Sequence, residues 1–247
     1  MRFEVEHRTL AEFQALDRQL RASGQKPFEL GYGLAQSPYI EHHYGYIAGD
    51  EEFSSTVWGY FEKHGANGVN LLLARIREEQ DPEIRSKILS MLSKIVDNHP
   101  DAAAMAPTVV SLLCDFAQNG ANPEREKATI ALGWIGRLPQ ADLLGRLMVE
   151  DSFETVRTWA ASSFMQMAAR MDPGAKEKLK ELSLPYFRKA LEQETDIFAV
   201  GVMAASLGDL WGKKFGVSWS AVEARDVERI EKARKSALRF TKKTSSL

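Results

Sequence analysis

The sequence predicts an all-α fold, a solenoid of stacked helix pairs. Three observations carry the expectation. From Glu51 onward apolar residues recur at helical spacing, and few windows alternate with the period of a half-buried strand. Turn punctuation recurs between these windows, as in Asn98-His99-Pro100, Gln118-Asn119-Gly120, Arg137-Leu138-Pro139 and Asp172-Pro173-Gly174. One helical register also repeats, with starts at Asp81, Ala121, Phe153 and Asp196, separated by 40, 32 and 43 residues, each interval holding one further helix. That spacing predicts an α-α superhelix of about four to five helix pairs.

Element by element, residues 8–22 predict a first helix with Leu10, Phe13, Leu16 and Leu20 on one face. Residues 24–50 are expected to be irregular, because Gly24, Pro27, Gly31, Gly33, Pro38, Gly45 and Gly49 interrupt regular helix. A loop, a short strand pair or a cap over the end of the core all fit there. Further helices are expected near 51–63, 66–79, 82–97, 103–118, 122–136, 139–149, 153–170, 175–191, 196–212 and 219–240. Two parts follow: residues 1–50, a helix and a Tyr/His-rich segment packed on the solenoid, and residues 51–247, the solenoid with a basic C-terminal capping helix. The tail, Thr244-Ser245-Ser246-Leu247, is expected to fray.

In the repeat register, with each start as position zero, Arg85, Arg125 and Arg157 share position 4. Ile88, Ala128, Ala160 and Met203 share position 7, and Leu92, Leu132, Phe164 and Leu207 share position 11. Small residues such as Ala131, Ala161 and Ala204 allow close helix approach, and a pair that cannot bury its apolar face alone buries it by stacking. Asp81 and Asp196 stand where helix N-caps are needed.

Asp81-Pro82-Glu83-Ile84-Arg85 and Ala131-Leu132-Gly133-Trp134-Ile135-Gly136 resemble HEAT repeats, including the short type named after phycobilin lyases. The resemblance spans roughly residues 66–212 and implies a HEAT-like or armadillo-like solenoid. Val200 stands where the arginine should be, and Phe153 where the aspartate should be. The resemblance also implies that Arg85, Arg125 and Arg157 form a structural ladder between repeats. The other reading of that ladder is a row that grips phosphates or carboxylates.

Composition bounds the function. Apolar residues make up 44% and charged residues 27%, as in ordinary globular proteins. The single cysteine, Cys114, excludes an internal disulfide framework or thiolate cluster and is expected to pack as a small hydrophobe. The charged start MRFEVEHRTL does not predict a secretory signal, and no stretch approaches the roughly 18 apolar residues of a membrane span. A cytoplasmic protein with no membrane association is expected. Residues 1–174 hold 17 Lys+Arg and 24 Asp+Glu, whereas residues 175–247 hold 15 and 10. The basic last third suits an acidic partner, nucleic acid or a membrane surface, or is simply the solvated face of amphipathic helices.

Partner-binding candidates fall on positions 6 and 13 of the second helices: Lys87 and Lys94, Lys127 and Trp134, then Trp159 and Gln166. Tryptophan and cationic side chains dominate binding hot spots. The tryptophans could instead pack between repeats. Tyr44, His42 and His43 join the candidates from the Tyr-rich segment, the two histidines pointing apart if that segment is extended. The five histidines, His7, His42, His43, His64 and His99, form no helical metal pair, and no phosphate loop, Gly-x-Ser-x-Gly or His-Glu-x-x-His is present. No catalytic residue, metal or cofactor is therefore expected.

The expected function is a protein–protein interaction module for one dedicated partner, with a bacterial immunity protein that neutralises a cognate toxin as a named subclass. One alternative is a HEAT-like DNA glycosylase acting on alkylated bases, with Trp134, Trp159 and Asp209 in its working parts. Nucleic acid is disfavoured because residues 81–174 carry 9 basic and 12 acidic residues, where duplex binding needs several phosphate-contacting cations on one face. A chromophore handler of phycobilin-lyase type rests on the repeat type alone.

Overall fold

The computed structural model describes residues 8–49 and 51–244. His7 and the tail residues 245–247 lie outside the described residues. Among the described residues every regular element is helical and no strand occurs. The chain divides into two compact units, Met1–Val109 and Val110–Leu247.

In the first unit, α1 (Leu10–Ser23) begins with a reciprocal cap. The Thr9 hydroxyl accepts from the Glu12 N–H, and the Glu12 carboxylate accepts from the Thr9 N–H at 2.6 Å. Gly24 ends the helix at φ 66°. The glycines and prolines of residues 24–50 do interrupt the chain, but between them lie α2 (Phe28–Ala35), α3 (Ile40–Tyr44) and a 3-10 turn over Gly45–Ala48. No strand pair forms there. The reason is burial: Leu30 and Leu34, four residues apart, are fully buried, and α2 packs against α4 (Glu52–Gly59).

A second 3-10 turn, Tyr60–His64, leads into α5 (Gly65–Glu78), which packs on α6 (Pro82–Asn98). Asp81 caps α6 by accepting from the Glu83 N–H at 2.8 Å, and Pro82 occupies the first helical position, where an N–H has no partner in any case. Asp101 reaches the Ala66 N–H at 2.9 Å at the start of α5. The unit boundary falls within α7 (Ala106–Asn119).

The second unit is a two-layer stack. One layer is α8 (Asn122–Ile135), α10 (Glu154–Ala168) and α12 (Ile197–Trp211), with α10 packed between the other two. The other holds α9 (Ala141–Glu150) against α11 (Pro173–Gln193). Ala128, Ala160, Phe164, Met203 and Leu207 are fully buried, so positions 7 and 11 form the core row.

The predicted helix 219–240 is corrected. It is two helices, α13 (Trp219–Glu223) and α14 (Val227–Thr244), broken where Arg225 takes a positive φ of 51°. The break turns α14 onto α12 and α11, which buries Ile230, Ala233 and Ala237.

Candidate interaction site

The arginine ladder is structural in the second unit. The Arg157 guanidinium donates to both Glu194 oxygens, at 2.6 and 3.0 Å, and to the Asp151 carbonyl at 2.8 Å. Arg125 donates to the Asp151 carboxylate and lies 5.5 Å from the centre of the Phe153 ring. Asp151 and Glu194 each stand two residues before the next repeat start. Glu194 also accepts from the N–H groups of Thr195 and Asp196, at 2.9 and 3.0 Å, which fixes the turn from which Asp196 caps α12. Burial would push the Glu194 carboxyl up. The Arg157 guanidinium and these two N–H groups outweigh that and hold it below its ordinary range.

Glu79 stands at the same position before Asp81 and accepts from the N–H groups of Gln80 and Asp81. An acid two residues before Asp81, Phe153 and Asp196 is the sequence signal for this link, and it lies outside the register that runs forward from each start.

The stripe at positions 6 and 13 meets different fates. In the second unit α8 and α10 approach closely. The buried Ser163 hydroxyl donates to the Thr129 carbonyl at 2.9 Å, and a Cβ on Gly133 would stand 2.9 Å from the Ser163 Cα and 2.6 Å from the Gln166 side-chain oxygen. This crossing places Trp134, the next residue, beside the end of α10. Trp134 is 41% exposed, with the Arg170 guanidinium 4.3 Å from its ring centre. Arg170 lies at position 17, beyond positions 6 and 13, so the stripe does not include it. Trp159 and Lys127 are half-buried, and Lys127 pairs with Glu126 at 3.0 Å. Asp209 is exposed near the end of α12 and lines a pocket with Trp219; neither Trp134 nor Trp159 lines it.

In the first unit Lys87 donates to the Ile47 carbonyl at 3.0 Å, and Lys94 pairs with Glu62 at 3.2 Å. Tyr44 is half-buried, its ring edge-on to Trp58 with centroids 6.1 Å apart. Arg75, which donates to Glu41 at 2.7 Å, lies 5.7 Å from the Tyr44 ring centre.

His42 and His43 are not in an extended segment, because both lie on α3. His42 is half-buried, its ring edge-on to Tyr46 with centroids 5.8 Å apart. His43 is 0% exposed, and therefore lies beneath the surface rather than on it. Its Nε2–H donates to the Val57 carbonyl at 2.8 Å. In the neutral ring Nδ1 must then accept, so His64 donates its Nε2–H across 2.9 Å. Burial pushes His43 down to about 3 and His64 to about 4. Among the described residues no group of three or more His, Cys, Asp or Glu is placed to hold a metal ion. Cys114 is half-buried, and burial raises its thiol.

The stacked pairs and the arginine–acid links between them define a helical-repeat protein. Residues 69–165 match the family model described as HEAT repeats, in keeping with the all-helical stack. Such repeats generally serve as protein-interaction modules. No curated protein and no solved structure matches the chain. Among the described residues no helix is long and apolar enough to cross a membrane.

Proposed function

We propose that the protein is a non-catalytic interaction module that binds one dedicated protein partner, and that the exposed end of α8 and α10 is its contact face. The observation that carries this reading is Trp134. A tryptophan leaves 41% of its surface in solvent while Arg170 covers one side of its ring, an aromatic–guanidinium pair of the kind that anchors interfaces. Burying such a ring against a partner gains apolar area, and the Arg170 guanidinium already lies over it. Within this reading the narrower role is a bacterial, cytoplasmic immunity protein that covers a cognate toxin. Its support is the excess of acid in residues 1–174, 24 Asp+Glu against 17 Lys+Arg, which suits a basic toxin.

The test is affinity capture of the tagged full-length protein from its native cells, read by mass spectrometry at low and moderate salt, alongside the Trp134→Ala variant. A dominant, near-stoichiometric protein that Trp134→Ala no longer retains supports the module and the face. A toxin in that position supports immunity. Capture that Trp134→Ala leaves intact removes the face, and recovery of nucleic acid without a protein removes the module.

A further inference from the structure

The second unit has a second place where chemistry converges, at the far end of α12. The helix stops at Gly212 (φ 62°), and the Lys213 N–H donates back to the Gly208 carbonyl at 2.8 Å. A Cβ at Gly208 would lie 2.7 Å from the Lys213 carbonyl oxygen, so this tight return needs a residue without one. The return presents Lys213 and Lys214 at the rim of a pocket of about 640 Å³. From α14 come Arg229 and Lys232, three residues apart and therefore on one face. Trp219, the first residue of α13, supplies an apolar wall and is 42% exposed.

The charge in this pocket is unbalanced. Arg229 is bonded to Asp226 at 3.3 Å, and Asp209 is the acid in the lining. Among the described residues no carboxylate pairs with Lys213, Lys214 or Lys232. Three solvent-exposed ammonium groups facing one concavity repel each other, and an anion entering between them relieves that repulsion.

We propose that this pocket binds a carboxylate-rich peptide segment of a partner protein, with an apolar side chain of that segment against Trp219. Lysines are flexible point-charge donors that adapt to several carboxylates. The forked guanidinium that phosphate favours is here engaged by Asp226. Asp209 sits where a continuous phosphate chain would meet its charge, and a short peptide can place an uncharged residue there. A pocket of this size takes a few side chains and offers no track for a duplex. The inference rests on the protein-binding reading above and assigns that reading a second contact, distinct from Trp134.

The probe is a fluorescein-labelled octapeptide of six glutamates flanking two leucines, followed by anisotropy on the full-length protein. Lys213→Gln/Lys214→Gln/Lys232→Gln is compared with Lys178→Gln/Lys235→Gln/Arg239→Gln, which removes the same charge from exposed positions outside the pocket. All six side chains are exposed, and circular dichroism checks the fold of each variant. Saturable peptide binding, weakened at least tenfold by the pocket triple, less than twofold by the control triple and several-fold by Trp219→Ala, supports the site. Absence of peptide binding overturns it, as does equal weakening by both triples. Tighter, pocket-dependent binding of a labelled eight-nucleotide oligothymidylate also overturns it in favour of a nucleic-acid site. If the pocket fails while the Trp134-dependent partner is still captured, the module reading stands without this contact.

Discussion

Arg157 on α10 and Glu194, in the turn before α12, are joined by two charge-assisted hydrogen bonds of 2.6 and 3.0 Å, and this pair ties one repeat to the next. Arg157→Ala strands a carboxylate whose side chain is 3% exposed. Loss of one partner of a buried pair costs about 3–5 kcal/mol. The lower end is expected here, since the arginine itself is 20% exposed. Urea unfolding at pH 7 measures it, and an unchanged midpoint would show that the link does not hold the repeats.

The same pair sets an acid-side dependence. Because the folded Glu194 carboxyl titrates below its ordinary value of 4.5, its contribution is fully present above that pH and is lost as pH falls through the lower folded value. Wild-type protein should lose more stability than Glu194→Gln below pH 4.5. Parallel stability curves for the two would contradict this.

His43 and His64 act in a different window. Both are held neutral, at about 3 and about 4 against an ordinary 6.5, so the unfolded chain takes up protons that the folded chain cannot. Stability from this pair is therefore complete above pH 6.5 and declines below it, by up to about 1.4 kcal/mol per pH unit for each ring. A proton on His43 Nδ1 would face the His64 N–H and break their bond. Imidazole NMR signals should show no titration of His43 between pH 7 and 5. A midpoint near 6 would refute the buried neutral pair.

Gly133 and Trp134 are neighbours in sequence with opposite expected effects. Gly133→Ala forces a methyl toward the α10 backbone. Overpacking outweighs the helix-propensity gain, for a net loss of roughly 1–2 kcal/mol. Trp134→Ala removes an exposed ring and should change stability by less than about 1 kcal/mol while weakening partner binding tenfold or more. Thermal melts of both variants, with binding measured on Trp134→Ala, test the pair. A large stability loss from Trp134→Ala would make it a packing residue.

Asp81→Ala removes the acceptor at the start of α6 and should cost about 1 kcal/mol, with Asp81→Asn retaining most of the stability. Equal unfolding midpoints for wild type and Asp81→Ala would show that Asp81 contributes no cap energy.

Local chemistry made much of this molecule legible in its sequence. Helical spacing, the caps at Asp81 and Asp196 and the repeat register depend on residues within a few turns of each other, so the all-α repeat fold could be read directly, whereas the structural role of Arg125 and Arg157 came from the family resemblance, beside a reading as a phosphate- or carboxylate-gripping row. The helices of residues 24–50 could not. Their glycines and prolines speak against helix locally, and burial of Leu30 and Leu34 against other elements overrides that preference. His43 became a core residue for the same reason, since burial belongs to the packed unit and not to the dipeptide. Nor does sequence distance show that Arg170 would cover Trp134, or that Lys213, Trp219 and Lys232 would line one pocket. Those juxtapositions follow from how closely α8 meets α10 and from the break at Arg225 that turns α14 back onto α12. The repeat pattern determined the helices of the repeats, while side-chain volume at their crossings decided which residues meet in solvent.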